Sequence, residues 1–152
     1  MGRFILLFLS ILTLSSCSKD QVLVNSLDGV WKKDQKQVFT IDITDTESPQ
    51  NIIFVVRNNN NYPYSNIRFF SSLKADGVKE GKIDTLNYVL AKPNGQWIGT
   101  GFGDTKETWF QYKNAYVFPK KGKYTIEVSH AMRKDSLVGI EDLGIKLEQV
   151  QP

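Results

Sequence analysis

Short runs of alternating apolar and polar residues, separated by turn residues, constrain the fold of this 152-residue chain more than any other feature. The alternation has the period of two that places every second side chain on the same face of a β-strand. Turn-forming residues lie between the runs. Seven or eight short antiparallel strands at this spacing predict an all-β domain, either a β-sandwich or a jelly-roll-like fold. The predicted strands cover residues 37–43, 51–57, 66–73, 82–91, 107–118, 123–130 and 144–150.

Two of these runs depart from simple alternation. Residues 51–57 (NIIFVVR) are almost continuously apolar and β-branched, which predicts a central strand. Residues 107–118 are interrupted by Lys113-Asn114, which predicts an irregularity in that strand. The sequence also predicts one short helix or helical turn over residues 136–143, with Ser136 as its N-cap.

The N-terminus has the layout of a secretory signal peptide. Arg3 supplies the positive charge, residues 4–14 are apolar, and small residues follow. The apolar run is shorter than the roughly 20 residues that a membrane-spanning helix needs. Leu14-Ser15-Ser16-Cys17 looks like a lipobox, in which the cysteine receives diacylglycerol before cleavage. The predicted organisation is a signal peptide at residues 1–16, lipidated Cys17 with a short tether at residues 17–26, and one β-sandwich domain at residues 27–152.

Cys17 is the only cysteine in the chain. Lipidation there leaves the mature domain without a thiol, which excludes disulfides and cysteine-based metal sites. Each buried methylene stabilises membrane binding by roughly 0.8 kcal/mol, so two or three acyl chains anchor a protein durably. The residues after the cysteine, Ser18 and Lys19-Asp20, favour the outer membrane with the domain facing the periplasm.

The sequence shows no constellation of residues typical of catalysis. His130, the only histidine, lies in a predicted strand, and no GxSxG motif is present. The loop acids lack the spacing of a calcium-binding loop, so no metal site is predicted. The glycines of residues 99–103 lead into a strand rather than a helix, which indicates a bend instead of a phosphate-binding loop. A net charge of +3 with interspersed signs argues against nucleic-acid binding. We therefore expect no enzymatic activity, cofactor or nucleotide.

Aromatic and charged residues in the predicted turns are the candidates for contacts with a partner. The loops at 59–66, 96–104 and 133–142 are expected to carry them, because function usually resides in loops. The candidate contact residues are Tyr62, Tyr64, Trp97, Arg133 and Asp142. A structural alternative is that Arg133 and Asp142 pair with each other. The aromatic residues could also form a stacking platform for sugars; this set contains Trp31, Trp97, Trp109, Tyr62, Tyr64, Tyr112 and Tyr116.

An ordered set of short motifs along the mature chain resembles the GldH gliding-motility lipoproteins of Bacteroidota. The motifs are Arg57-Asn58 followed by Tyr62-Pro63-Tyr64-Ser65-Asn66, Leu90-Ala91, the glycine pattern around Trp97, Gly122-Lys123-Tyr124, Met132-Arg133 and residues 138–144. The resemblance implies a non-enzymatic accessory component of the gliding machinery, a family that travels with type IX secretion. It also implies envelope protein partners. The alternative function is that of a carbohydrate- or glycan-binding β-sandwich lipoprotein.

Overall fold

The computed structural model describes residues 20–150, so the predicted signal peptide and Cys17 lie outside the described residues. The described residues contain ten β-strands and no helix. The strands are β1 (Gln21–Ser26), β2 (Val30–Lys32), β3 (Gln37–Ile43), β4 (Gln50–Asn58), β5 (Asn66–Ala75), β6 (Ile83–Val89), β7 (Lys106–Tyr116), β8 (Gly122–His130), β9 (Ser136–Val138) and β10 (Ile140–Gln149). Within residues 20–150, no helix has the length and apolarity needed to cross a membrane.

Two four-stranded antiparallel sheets make up the sandwich. The first sheet has the strand order β1-β10-β4-β7, and the second has the order β3-β8-β5-β6. A short ribbon of β2 and β9 closes one end. β1 pairs with β10, so the first and the last strand of the domain are neighbours in the first sheet although they are far apart in sequence. The predicted all-β sandwich is confirmed, with ten strands rather than seven or eight.

The core lies between the two sheets and follows from the alternation of each strand. β3 shows this most clearly, since Phe39, Ile41 and Ile43 are buried while the residues between them are exposed. Full burial of such a side chain stabilises the fold by roughly 1.5–3 kcal/mol. The largest fully buried side chains are Trp31, Phe54, Phe69 and Phe118. The core thus contains most of the large aromatic rings.

The seven predicted runs all form strands, and two predicted details are correct. β4 lies between β10 and β7, as its continuous apolar sequence indicated. Its outward residues Ile53 and Val55 are also buried, opposite Lys146 and Trp109 of the neighbouring strands. The irregularity predicted in β7 appears as two register shifts against β4 and a positive φ of 46° at Ala115.

Two predictions differ from the structure. Residues 21–26, assigned to a tether, instead form β1, which pairs with β10 over its whole length. The helix predicted over residues 136–143 is wrong: this segment forms β9 and the beginning of β10. The reason is tertiary, because Leu137 of β9 is fully buried opposite Trp31 of β2. A three-residue strand of this kind leaves almost no periodic signal in a sequence.

Candidate functional site

The strand directions divide the loops between two ends of the sandwich. β1 begins at Gln21, four residues after Cys17, at the end that also holds the loops 44–49, 76–82 and 117–121. We call this the Cys17 end. The opposite end, which we call the distal end, holds the loops 59–65, 90–105 and 131–135 and the β2–β9 ribbon. All three loop segments singled out in the sequence therefore lie at the distal end.

The loop between β4 and β5 is held by a buried tyrosine. The Tyr62 side chain is only 3% exposed, and its hydroxyl donates a hydrogen bond to the Asn66 carbonyl at 2.8 Å. Burial raises the pKa of this hydroxyl far above its usual value. Tyr64 is half-buried and packs edge-on against the Tyr62 ring, with centroids 5.5 Å apart. Tyr62 is thus a core residue and not an exposed contact, which corrects the expectation; Tyr64 remains accessible.

The same loop packs closely against Gly139, between β9 and β10. The amide of Asn59 donates to the Gly139 carbonyl at 2.8 Å, and the Gly139 amide donates to the Gly29 carbonyl at 2.7 Å. A Cβ on Gly139 would lie 2.7 Å from the Tyr62 Cα, and the φ of Gly139 is +92°. Only glycine fits both requirements. The contact fixes the Tyr62 loop against the β2–β9 ribbon.

Trp97 joins the loop between β6 and β7 to the Tyr62 loop. Its indole Nε1 donates to Asn60 Oδ1 at 3.0 Å, and Asn60 Nδ2 donates to Asp104 Oδ1 at 2.9 Å. Asn60 therefore bridges two parts of the longer loop. Trp97 is half-buried and packs against the core, so only part of its ring is available for contact.

A tight turn ahead of β7 presents Phe102 to solvent. Thr100 and Glu107 exchange two backbone hydrogen bonds of 3.0 and 2.8 Å, and the Lys106 ammonium donates to the carbonyls of Gly101 and Gly103. A Cβ on Gly99 would lie 2.6 Å from the Glu107 carbonyl oxygen, so the turn needs glycine there. The Phe102 side chain is fully exposed. The glycines of residues 99–103 predict this bend, but no sequence pattern marks the exposed ring at its tip.

Arg57 of β4 forms an ion-pair cluster with two carboxylates. Its Nε donates to Glu107 at 2.7 Å and its Nη1 to Asp142 at 3.4 Å. Burial raises the pKa of the Glu107 carboxyl, but hydrogen bonds from Arg57 and Trp109 lower it by more, so the pKa lies below its usual value. Asp142 therefore pairs with Arg57, and the predicted pair of Asp142 with Arg133 is not formed.

Arg133 and Tyr64 line one groove at the distal end. The groove has a volume of about 400 Å³ and is lined by Tyr64, Asn66, Arg68, Ala131, Met132, Arg133 and Lys134. Arg68, Arg133 and Lys134 are exposed. The structure thus brings together two of the predicted contact residues, Tyr64 and Arg133, while Trp97 and Asp142 lie elsewhere at the same end.

His130 ends β8 at the distal end and is buried. It packs edge-on against Trp31, with ring centroids 5.4 Å apart. Burial lowers the pKa of His130, and the nearby Lys33 lowers it further. A neutral, buried imidazole in contact with a core tryptophan fits the structural role expected from the sequence.

The aromatic residues considered for a sugar platform are dispersed. Trp31, Tyr62 and Tyr112 are buried, and Tyr116 packs against the core residue Phe118. Trp109 is exposed on the outer face of the first sheet, where Lys146 lies over its ring at 4.8 Å. Within residues 20–150, no three histidine, cysteine, aspartate or glutamate side chains group as a metal ion would require.

Comparison with known proteins matches residues 23–147 to the family model described as GldH lipoprotein. The chain is 37% identical over 157 aligned residues to a gliding motility lipoprotein GldH homolog of Christiangramia forsetii, covering 96% of this chain and 94% of that protein. It is 33% identical to gliding motility lipoprotein GldH of Flavobacterium johnsoniae, covering 95% and 94%. The chain belongs to the GldH lipoprotein family. The resemblance found in the sequence is thereby confirmed.

Two solved structures align with this chain at low similarity. A GH115 4-O-methyl-α-glucuronidase aligns with 85% of this chain and 16% of its own, at 13% identity and a TM-score of 0.45. The VP2 subviral particle of infectious bursal disease virus aligns at 11% identity and a TM-score of 0.34, covering 86% and 34%. Similarity at this level supports no conclusion about function.

Proposed function

We propose that this GldH family member is a lipid-anchored, non-enzymatic component of the gliding-motility and type IX secretion-associated envelope machinery. Lipid on Cys17 holds it on the outer membrane, facing the periplasm. It acts by contacting envelope protein partners through its distal end. Its membership of a lipoprotein family and the lipobox-like sequence that ends at Cys17 support the anchor.

One observation carries the proposal: the loop segments selected from sequence lie together at the end opposite the one that leads to Cys17. β4 spans nine residues between the two ends. At about 3.3 Å per residue, this places the distal loops about 26 Å beyond the Cys17 end. A lipid at Cys17 therefore leaves the distal end directed away from the membrane, where partners can reach it.

The test compares Cys17→Ala with the wild-type chain in the organism's own cells. We expect the variant to lose lipidation, to leave the membrane fraction and to fail in gliding, because a protein without acyl chains has no durable anchor. Circular dichroism should show a folded domain, since Cys17 precedes β1. A variant that remains at normal abundance and supports normal gliding would contradict the anchor.

A second experiment tests the partners. Tagged wild-type protein and a variant with Phe102→Ser and Trp97→Ala are crosslinked in cells and purified under identical conditions. We expect envelope proteins with the wild type and a reduced yield of the same proteins with the variant. If no envelope protein is recovered above the background, this result would argue against a function through protein contacts.

A further inference from the structure

We propose that the distal groove between Tyr64 and Arg133 binds an acidic segment of a partner protein. This inference rests on the proposed function, because it names the chemistry of the partner at the same end of the molecule. Arg68, Arg133 and Lys134 bring three positive charges to one groove, and no acidic residue lines it. Such a lining attracts anionic groups, of which the carboxylates of aspartate and glutamate are those that a protein segment carries.

These three cations have no carboxylate partner within the part of the domain that the structure describes, whereas five other basic residues are paired. Arg57, Lys113 and Lys146 each form an ion pair with an aspartate or glutamate. Among residues 20–150, no carboxylate lies within ion-pair distance of Arg68, Arg133 or Lys134. Arg68 makes only a 3.4 Å hydrogen bond from Nε to Asn87. Their guanidinium and ammonium donors are therefore available, and an arginine can bind a carboxylate through two parallel hydrogen bonds.

The floor and walls of the groove are held in place before any ligand binds. The amide of Ala131 donates to the Arg68 carbonyl at 2.7 Å, and Asn66 Nδ2 donates to Asn87 Oδ1 at 2.7 Å. The Tyr62 hydroxyl fixes the Asn66 carbonyl. A fixed backbone lowers the ordering cost of binding, so that more of the interaction energy appears as affinity.

The apolar part of the lining favours a protein segment over an acidic glycan. Met132 is an adaptable, polarizable side chain that packs well against varied apolar side chains. Tyr64 packs edge-on against Tyr62 and is half-buried, so it does not offer a fully open ring for stacking on a sugar. A segment with carboxylates next to one or two apolar side chains matches this lining.

The test measures binding of a fluorescent peptide containing glutamate, aspartate and leucine to the mature lipidated protein in detergent, by fluorescence anisotropy. The variant is Arg133→Glu with Lys134→Glu. The control is Lys120→Glu with Lys121→Glu, which makes the same charge change in exposed residues at the Cys17 end. We expect saturable binding that is at least tenfold weaker in the Arg133/Lys134 variant and within twofold of wild type in the control. Binding should weaken as salt rises from 50 to 300 mM, because exposed charges are screened.

Three outcomes would overturn the proposal. The first is an equal loss in both charge variants, which would show nonspecific attraction. The second is tighter binding of oligogalacturonate than of the peptide, which would show a glycan site. The third is no saturable binding at all. Unchanged melting temperatures of both variants would confirm that the fold is intact. The Cys17→Ala experiment does not depend on this groove, so its result separates failure of the groove from failure of the proposed function.

Discussion

At each end of the sandwich, one loop is fixed by a hydrogen bond from a buried tyrosine hydroxyl, but the two ends differ in how tightly the backbone around that loop is packed. At the distal end the Tyr62 hydroxyl donates to the carbonyl of Asn66 at 2.8 Å, and at the Cys17 end the Tyr124 hydroxyl donates to the carbonyl of Lys120 at 2.9 Å. Both tyrosines are buried.

Among residues 20–150, the glycines at which a Cβ would lie less than 3.0 Å from a backbone atom are all at the distal end, whereas the tightest glycine of the Cys17 end, Gly81, leaves 3.3 Å. Gly139 and Gly99 leave no space for a Cβ, whereas Gly77 and Gly122 of the Cys17 end have nothing within 4 Å of one. The distal end also holds the groove lined by Arg68, Arg133 and Lys134, and the fully exposed ring of Phe102. A shape fixed this closely is expected of a surface that recognises a partner, while ordinary turns suffice at the end next to an anchor.

The largest expected effect on the free energy of unfolding comes from replacing glycines that have a positive φ. Gly139→Ala combines a strained φ with a backbone overlap at Tyr62, and we expect a loss of about 3–5 kcal/mol in the free energy of unfolding. Gly77→Ala has a similar positive φ in open space, and we expect a loss of about 1–2 kcal/mol. Urea denaturation of both variants measures the difference. Equal losses would show that the close packing at Gly139 contributes nothing.

The next largest effect on stability is expected at the two tyrosines that fix these loops, Tyr62 and Tyr124. Tyr62→Phe and Tyr124→Phe each remove one hydroxyl and the hydrogen bond that it donates to a backbone carbonyl, so each should lower the free energy of unfolding by about 1 kcal/mol. Only Tyr62→Phe should also impair gliding, because only the Tyr62 loop forms part of the proposed contact surface. Thermal denaturation and a spreading assay check the two parts. If gliding were impaired only by Tyr124→Phe, the contact surface would lie at the Cys17 end and not at the distal end.

Between pH 7 and pH 5.5, the free energy of unfolding should depend on pH through one residue of the distal end. The chain has one histidine, His130, and burial lowers its pKa in the folded state. The unfolded chain then binds more protons as pH falls below about 6.5, so the free energy of unfolding should decrease from pH 7 toward pH 5.5. The slope cannot exceed about 1.4 kcal/mol per pH unit for one proton. His130→Phe should remove this slope, and a slope that persists would place its origin elsewhere.

The smallest effect on stability is expected at exposed apolar side chains. Phe102→Ser at the distal end and Val117→Ser at the Cys17 end should each change the free energy of unfolding by less than about 0.5 kcal/mol, since both side chains are exposed. Phe102→Ser should nevertheless reduce partner recovery from crosslinked cells. Equal recovery with both variants would remove Phe102 from the contact surface.

The strands that sequence alone predicted well are those with a clear period of two. Residues 37–43 were assigned with the bounds of β3, and the apolar run of β4 indicated a central position. The missed strands are β1, β2 and β9, of which β2 and β9 have three residues each. Such strands form because their partners are available in the folded chain, so no local pattern marks them.

Site residues were predicted by type and loop position, and this worked only in part. Tyr62 and Tyr64 look alike in the sequence, yet one is buried and the other half-buried, because only the packing of Gly139 and β5 decides which ring turns inward. Asp142 was considered as a partner of Arg133, but strand register places it beside Arg57. Register is a long-range property, and one sequence contains no direct signal for it.

The sequence by itself determined that this chain is an all-β protein of the GldH family with a lipobox-like N-terminus, since alternation, turn residues and ordered motifs are local features. Only the tertiary structure decided that the loops 59–66, 96–104 and 133–142 meet at the end opposite the start of β1, and that Arg68, Arg133 and Lys134 share one groove. The physical reason is that strand order and direction, set by burial of the common core, decide which distant loops become neighbours.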